Sequence, residues 1–214
     1  MKKNTFAYEH NHNCPQCGSA LDIATQYVKL VQCASCKSSV FLENDATRLA
    51  GDSSVLAPEL SLITLNEPFL YNQKSYTPMG MIRYSYGRGF WEEWWIRDKS
   101  DKTYWLSVDE GDFVLQEKIK VDYPESFLGD LRVSTEHQMG KTIDGTWLVT
   151  EVGTATCEGF VGSLPKLVKK GDSYRYMHLS GANALMRTLE VSDTGVETYE
   201  GVWISPFDIG KVFG

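Results

Sequence analysis

A chain of 214 residues with 42% hydrophobic and 23% charged residues is long enough to bury a core, and its composition is that of an ordinary globular protein, not a disordered or fibrous one. Charge is unevenly placed: residues 1–50 carry five Lys or Arg against four Asp or Glu, and the remainder carries sixteen against twenty-four. So acidic a body lacks the electrostatic footprint that phosphate contacts require. Nucleic-acid binding is therefore left to the near-neutral N-terminal segment, and there only with Lys2, Lys3, Lys29, Lys37 and Arg48 on one face.

The opening Met1–His10 has two lysines but no apolar run behind them, which argues against a signal peptide, and no later stretch has the length and apolarity of a membrane span. Cys14-Pro15-Gln16-Cys17 and Cys33-Ala34-Ser35-Cys36 form two CxxC knuckles fifteen residues apart. That is the spacing of a zinc ribbon whose metal is held by Cys14, Cys17, Cys33 and Cys36. Four thiolates leave no open coordination position, so the expected zinc is structural: it folds a segment too small for its own core. His10 and His12 flank a ligand set that is already complete. Four thiols in metal spacing, with Cys157 left over as a small strand residue, suit a reducing cytoplasm.

The ribbon with its N-terminal tail is assigned to 1–42 and a polar connector to 43–60, because Glu43–Ser54 is small, polar and without period. A β-rich body is assigned to 61–214. Six Trp and eleven Tyr favour strands, and short β-prone runs recur between turns: Pro78–Tyr86, Phe90–Ile96, Thr103–Val108 and Asp112–Gln116. These read as a meander. Residues 121–131 fit one short helical turn or an irregular crossover. A second strand-rich series runs from Trp147 to Ile204, so the body divides into candidate halves at 61–120 and 145–214. The fold class expected is mainly β, an antiparallel barrel or sandwich behind a small ribbon.

On an extended strand, Trp91, Glu93 and Trp95 share one face, and Phe90, Glu92, Trp94 and Ile96 the other. Each face then sets a carboxylate between large rings, and a carboxylate so placed needs a partner. A structural role would have Glu93 accept from backbone amides or Trp105 Nε1, or pair with Arg83 or Arg97. A ligand role would use the carboxylate and the rings to hold an organic cation such as a polyamine. A catalytic role would pair Glu93 with Asp109, Glu110 or Asp112 as acid and base, but it lacks an identifiable nucleophile or electrophile. Asp109–Asp112 lacks the oxygen spacing of a calcium loop and reads as a hairpin turn with Gly111 at positive φ. His137 and His178 stand alone, and Lys166–Asp172 reads as a solvated basic turn.

Trp91-Glu92-Glu93-Trp94 followed by Trp105-Leu106-Ser107-Val108-Asp109-Glu110-Gly111 resembles the bacterial domain-of-unknown-function family 4178. Tyr76–Ile82, Glu151–Ala155, Gly162–Pro165 and Tyr199–Ile204 are similar to further positions of that family. The resemblance covers roughly residues 62–210 and departs at Ser163, where the family pattern has Glu. It implies a fold unit without an assigned activity. It also implies the company of polyamine-enzyme homologues, small membrane proteins and stomatin-like scaffolds in membrane-stress or toxic-ion-resistance systems. The reading that follows is a non-catalytic binding or adaptor protein, cytoplasmic or peripheral to the inner membrane through a protein partner. Trp91, Glu93, Trp94, Trp105, Asp109 and Glu110 are its candidate ligand or partner residues. Binding of a small organic cation, and an acid/base enzyme using Glu93 and Asp109, stand as the alternatives.

Overall fold

The computed structural model describes residues 12–23, 25–43, 46–51, 56–57, 59–121, 123, 128–129, 131–138, 145–193 and 195–211. The tail that carries His10 lies outside them, as do Pro124 and Phe127 of the expected crossover. Almost all regular structure is antiparallel β, as expected from the aromatic load.

Two four-stranded meanders form the body. The first is β5 (Lys74–Ser85), β6 (Phe90–Asp98), β7 (Thr103–Asp109) and β8 (Asp112–Ile119). The second is β10 (Thr146–Leu164), β11 (Ser173–Ser180), β12 (Leu185–Ser192) and β13 (Gly195–Ile204). They join edge to edge twice, β8 to β13 and β10 to β5, so the pairing closes into a ring of eight strands. Closure gives each of these strands a neighbour on both sides over at least part of its length. Short strands extend the sheet: β4 (Phe69–Tyr71) lies on β5, β14 (Gly210–Lys211) on β4, and β9 (Glu136–Gln138) on the start of β10.

The closing seam depends on two glycines. Gly80 of β5 faces Gly162 of β10, and a Cβ on Gly80 would lie 2.0 Å from the carbonyl oxygen of Ser163. Gly162 has φ +74°, a left-handed backbone that side chains disfavour. Strand β10 pairs with β11 up to Thr156 and with β5 from Thr156 onward, and a bulge between Cys157 and Gly159 lies just beyond the change of partner.

The ribbon contributes β1 (Leu30–Gln32), β2 (Ser39–Glu43) and β3 (Ala46–Gly51). Strand β3 falls inside the stretch whose composition marks a connector. Pairing along an existing hairpin edge, Val40 with Leu49 and Leu42 with Thr47, supplies its backbone partners without any sequence period. Strand β1 pairs with the end of β10, Leu30 opposite Leu164 and Val31 opposite Ser163, and Lys29 N–H donates to Leu164 O at 2.8 Å. One apolar cluster accordingly runs from Cys14, Leu30, Val31 and Val40 of the ribbon to Ile82, Trp91, Trp95, Trp105, Cys157 and Tyr199 of the ring. Two further clusters cover the outer faces: Ile63, Phe69, Trp94, Ile96 and Leu106 on the first meander, and Leu131, Trp147, Val149, Met177 and Leu189 on the second.

Candidate binding cavities and a thiol cluster

Both CxxC segments are tight turns closed by a backbone bond, Gly18 N–H to Cys14 O and Lys37 N–H to Cys33 O, and both end in a left-handed residue, Gly18 at φ 76° and Lys37 at φ 63°. The turns bring four Sγ atoms within 4.8 Å of one another. Cys14 and Cys36 lie 3.6 Å apart and Cys17 and Cys33 3.8 Å apart. A tetrahedron with metal–sulfur bonds of about 2.3 Å has edges of about 3.8 Å, so the donor set fits a four-coordinate metal ion. The hydroxyls of Ser19 and Ser38 lie beside Cys17 and Cys36 Sγ at 3.4 and 3.0 Å.

The two adjacent glutamates of β6 point to opposite sides of the sheet. Glu92 is on the outer side, where Arg83, its register partner on β5, meets it at 2.7 Å and Trp94 Nε1 donates to its other oxygen at 3.2 Å. Glu93 is on the inner side and accepts from Trp91 Nε1 at 3.2 Å. The expected donors differ from those found. The indole that donates to Glu93 is that of Trp91, two residues back on the same face; Arg83 is opposite Glu92; and Arg97 pairs with Asp101 at 2.9 Å. Burial, reinforced by the neighbouring Glu190, raises the Glu93 carboxyl to about 7, and Lys166 and the Trp91 bond offset only part of that rise.

Lys166 follows the end of β10 and turns into the ring, where its ammonium meets Glu190 at 3.2 Å and lies 5.2 Å from the Trp105 ring, 5.9 Å from Tyr199 and 6.0 Å from Tyr84. Desolvation alone would lower its pKa, but Glu190, the tyrosines and Glu93 outweigh it and hold the amine protonated. This corrects the solvated-turn expectation for this residue. The ion pair joins residues 24 apart in sequence, and no local pattern announces it. A cavity of about 810 Å³ opens beside it, lined among others by Tyr84, Cys157, Lys166, Tyr174, Glu190 and Glu197. The Tyr174 hydroxyl is buried there with no hydrogen-bond partner. Cys157 is a buried strand residue, its thiol pushed up to about 11 by desolvation.

A second cavity, of about 210 Å³, lies against the β7–β8 hairpin. The rings of Tyr86, Trp91, Tyr176 and Trp203 wall it, together with the carboxylates Asp109, Asp112 and Glu151 and the imidazole of His178. Trp91 meets Tyr176 edge-on, ring centres 5.0 Å apart, and Tyr86 at 5.7 Å. Glu151 accepts from Tyr176 Oη at 2.8 Å and lies 3.3 Å from His178 Nδ1; these contacts, His178 first, hold its carboxyl below the usual range. His178 therefore does not stand alone. Asp109 is placed by the turn Glu110-Gly111, both residues at positive φ as a two-residue hairpin requires. Its Oδ1 is buried with no hydrogen-bond partner, and desolvation, with Glu110 and Glu151 nearby, raises its pKa.

Of the six candidate side chains, Trp91 and Asp109 line this cavity, while Glu93 and Trp105 lie deeper in the ring beside Lys166. Trp94 packs on the outer face, and Glu110 borders a groove with Leu60, Leu62 and Phe90. Glu93 and Asp109 thus do not line one cavity. Lys166, Glu190, Glu151 and Tyr176 escaped sequence reasoning because each is significant only through a partner on another strand.

An all-β ring whose apolar and aromatic interior encloses a few buried charged groups, with a four-thiol cluster in the N-terminal segment, defines the class of protein. The family described as domain of unknown function (DUF4178) matches residues 67–206, and the chain belongs to it. No curated protein and no solved structure matches the chain. Among the described residues, no helix is long and apolar enough to cross a membrane.

Proposed function

We propose that the chain is a non-catalytic binding module whose ligand is a small organic cation, held in the cavity walled by Trp91, Tyr176 and Trp203. One observation carries the reading: the buried, unpartnered Oδ1 of Asp109 lies among aromatic rings in a cavity that also holds Asp112 and Glu151. An unpaired carboxylate oxygen out of water is costly, and an ammonium seated against π faces would satisfy it. The volume suits a headgroup or a short diamine, not an extended chain. Zinc is the ion proposed for the cysteines, with Cys14, Cys17, Cys33 and Cys36 as its ligands and a structural role.

Calorimetric titration with putrescine, choline and tetramethylammonium tests the reading. Saturable binding of at least one of them is expected, weakened about tenfold or more by Asp109→Asn, which removes the charge and keeps the shape. Binding should also weaken on acidification, because a protonated Asp109 loses its attraction for the cation. Wild-type protein that binds none of the three sinks the proposal. A second reading, the adaptor role that the family's company implies, is favoured by the exposed Leu60, Leu62 and Phe90 around a groove bordered by Glu59 and Glu110. An apolar segment carrying basic residues would fit there.

A further inference from the structure

A third cavity, of about 260 Å³, lies where the ribbon meets the ring, and its charge is opposite to that of the protein as a whole. Three lysines line it from three elements: Lys29 just before β1, Lys118 on β8 and Lys166 just after β10. The one carboxylate in the lining is Glu197, paired with Lys118 at 2.5 Å. Lys166 is matched by Glu190 from outside the lining. Lys29 is exposed and meets no carboxylate among the described residues, so one positive charge stays uncompensated at the mouth. The remaining wall is mostly aromatic: Trp95, Trp105 and Tyr199 inside and the half-exposed Tyr27 of the ribbon at the rim, together with Thr103 and Pro165.

From this arrangement we propose that the junction cavity binds a small anion bearing a flat ring. Lys29 would meet the anionic group beside the Lys118–Glu197 pair, and Tyr27 and Trp105 would lie against the ring. The chemistry is shared by a mononucleotide and an aromatic carboxylate. Because Tyr27 and Lys29 belong to the ribbon, the site is complete only when ribbon and ring fold together. It is independent of the organic-cation cavity, sharing none of that cavity's lining residues.

The test is calorimetry on the metal-loaded full chain with adenosine 5′-monophosphate and benzoate as probes, and with adenosine and inorganic phosphate as the separated parts. Saturable binding of one ring-bearing anion is expected, tighter than either separated part and weaker as salt is raised. Lys29→Ala and Tyr27→Ala should each weaken it about tenfold. Both side chains are exposed, and unchanged metal content and circular dichroism would establish that the variants fold. Binding of the nucleotide alone assigns the first source, and binding of benzoate alone the second. Failure of both probes to saturate at millimolar concentration overturns the proposal, as does binding that neither substitution alters.

Discussion

Glu92 and Glu93 are the same residue twice, and the sheet gives them opposite surroundings. Glu92 has a guanidinium and an indole N–H; Glu93 has one indole N–H, and it shares Lys166 with Glu190. The folded Glu93 carboxyl, at about 7, holds its proton more tightly than the unfolded chain does. Folding is therefore favoured by Glu93 protonation at acid pH, and stability falls as pH rises from about 4.5 to about 7, with the full penalty present above that window. Glu93→Gln, which still accepts from Trp91, should remove this slope. It should stabilise the protein at pH 8 by something on the order of 2 kcal/mol while leaving it unchanged near pH 4. Urea unfolding of both proteins across that range checks it, and an unaltered slope in the variant would place the titration elsewhere.

At the scale of elements, hydrogen-bonded pairing makes the ring, but backbone proximity at its seam closes it. Gly80 admits the Ser163 carbonyl where any side chain would collide with it, and that collision is with main chain that cannot swing aside. Gly80→Ala should therefore cost roughly 2–3 kcal/mol. Gly210→Ala, whose added methyl would find nothing nearer than 3.6 Å, should cost much less. Thermal unfolding of the two variants distinguishes them; equal losses would mean the seam is not tightly closed. The β7–β8 turn does comparable work by backbone alone, since the left-handed Glu110-Gly111 pair sets where Asp109 enters its cavity.

Across the whole molecule, the ribbon is an integral part of the core. Its apolar residues share one cluster with the ring interior, and β1 holds the end of β10 from which Lys166 departs. Stripping the metal with a chelator should thus lower the unfolding midpoint of the entire chain, by roughly 10 °C or more, in a single transition. Calorimetry with metal analysis reads this directly. A ribbon that melts alone while the ring's transition stays put would show the two to be energetically separate.

The sequence by itself determined the four-thiol cluster, the β class, the meander of β5–β8 and the turn at Glu110-Gly111, because each rests on short-range spacing: two CxxC turns, period-two alternation, a left-handed glycine. It also identified β6 as a strand with a carboxylate on each face. Only the tertiary structure decided which carboxylate meets Arg83, that Lys166 turns inward, that Asp109 shares a cavity with Glu151, Tyr176 and His178, and that β3 pairs where composition marks a connector. Those contacts join strands far apart in the chain. Register and ring closure set them, and neither leaves a local trace in the residues they bring together.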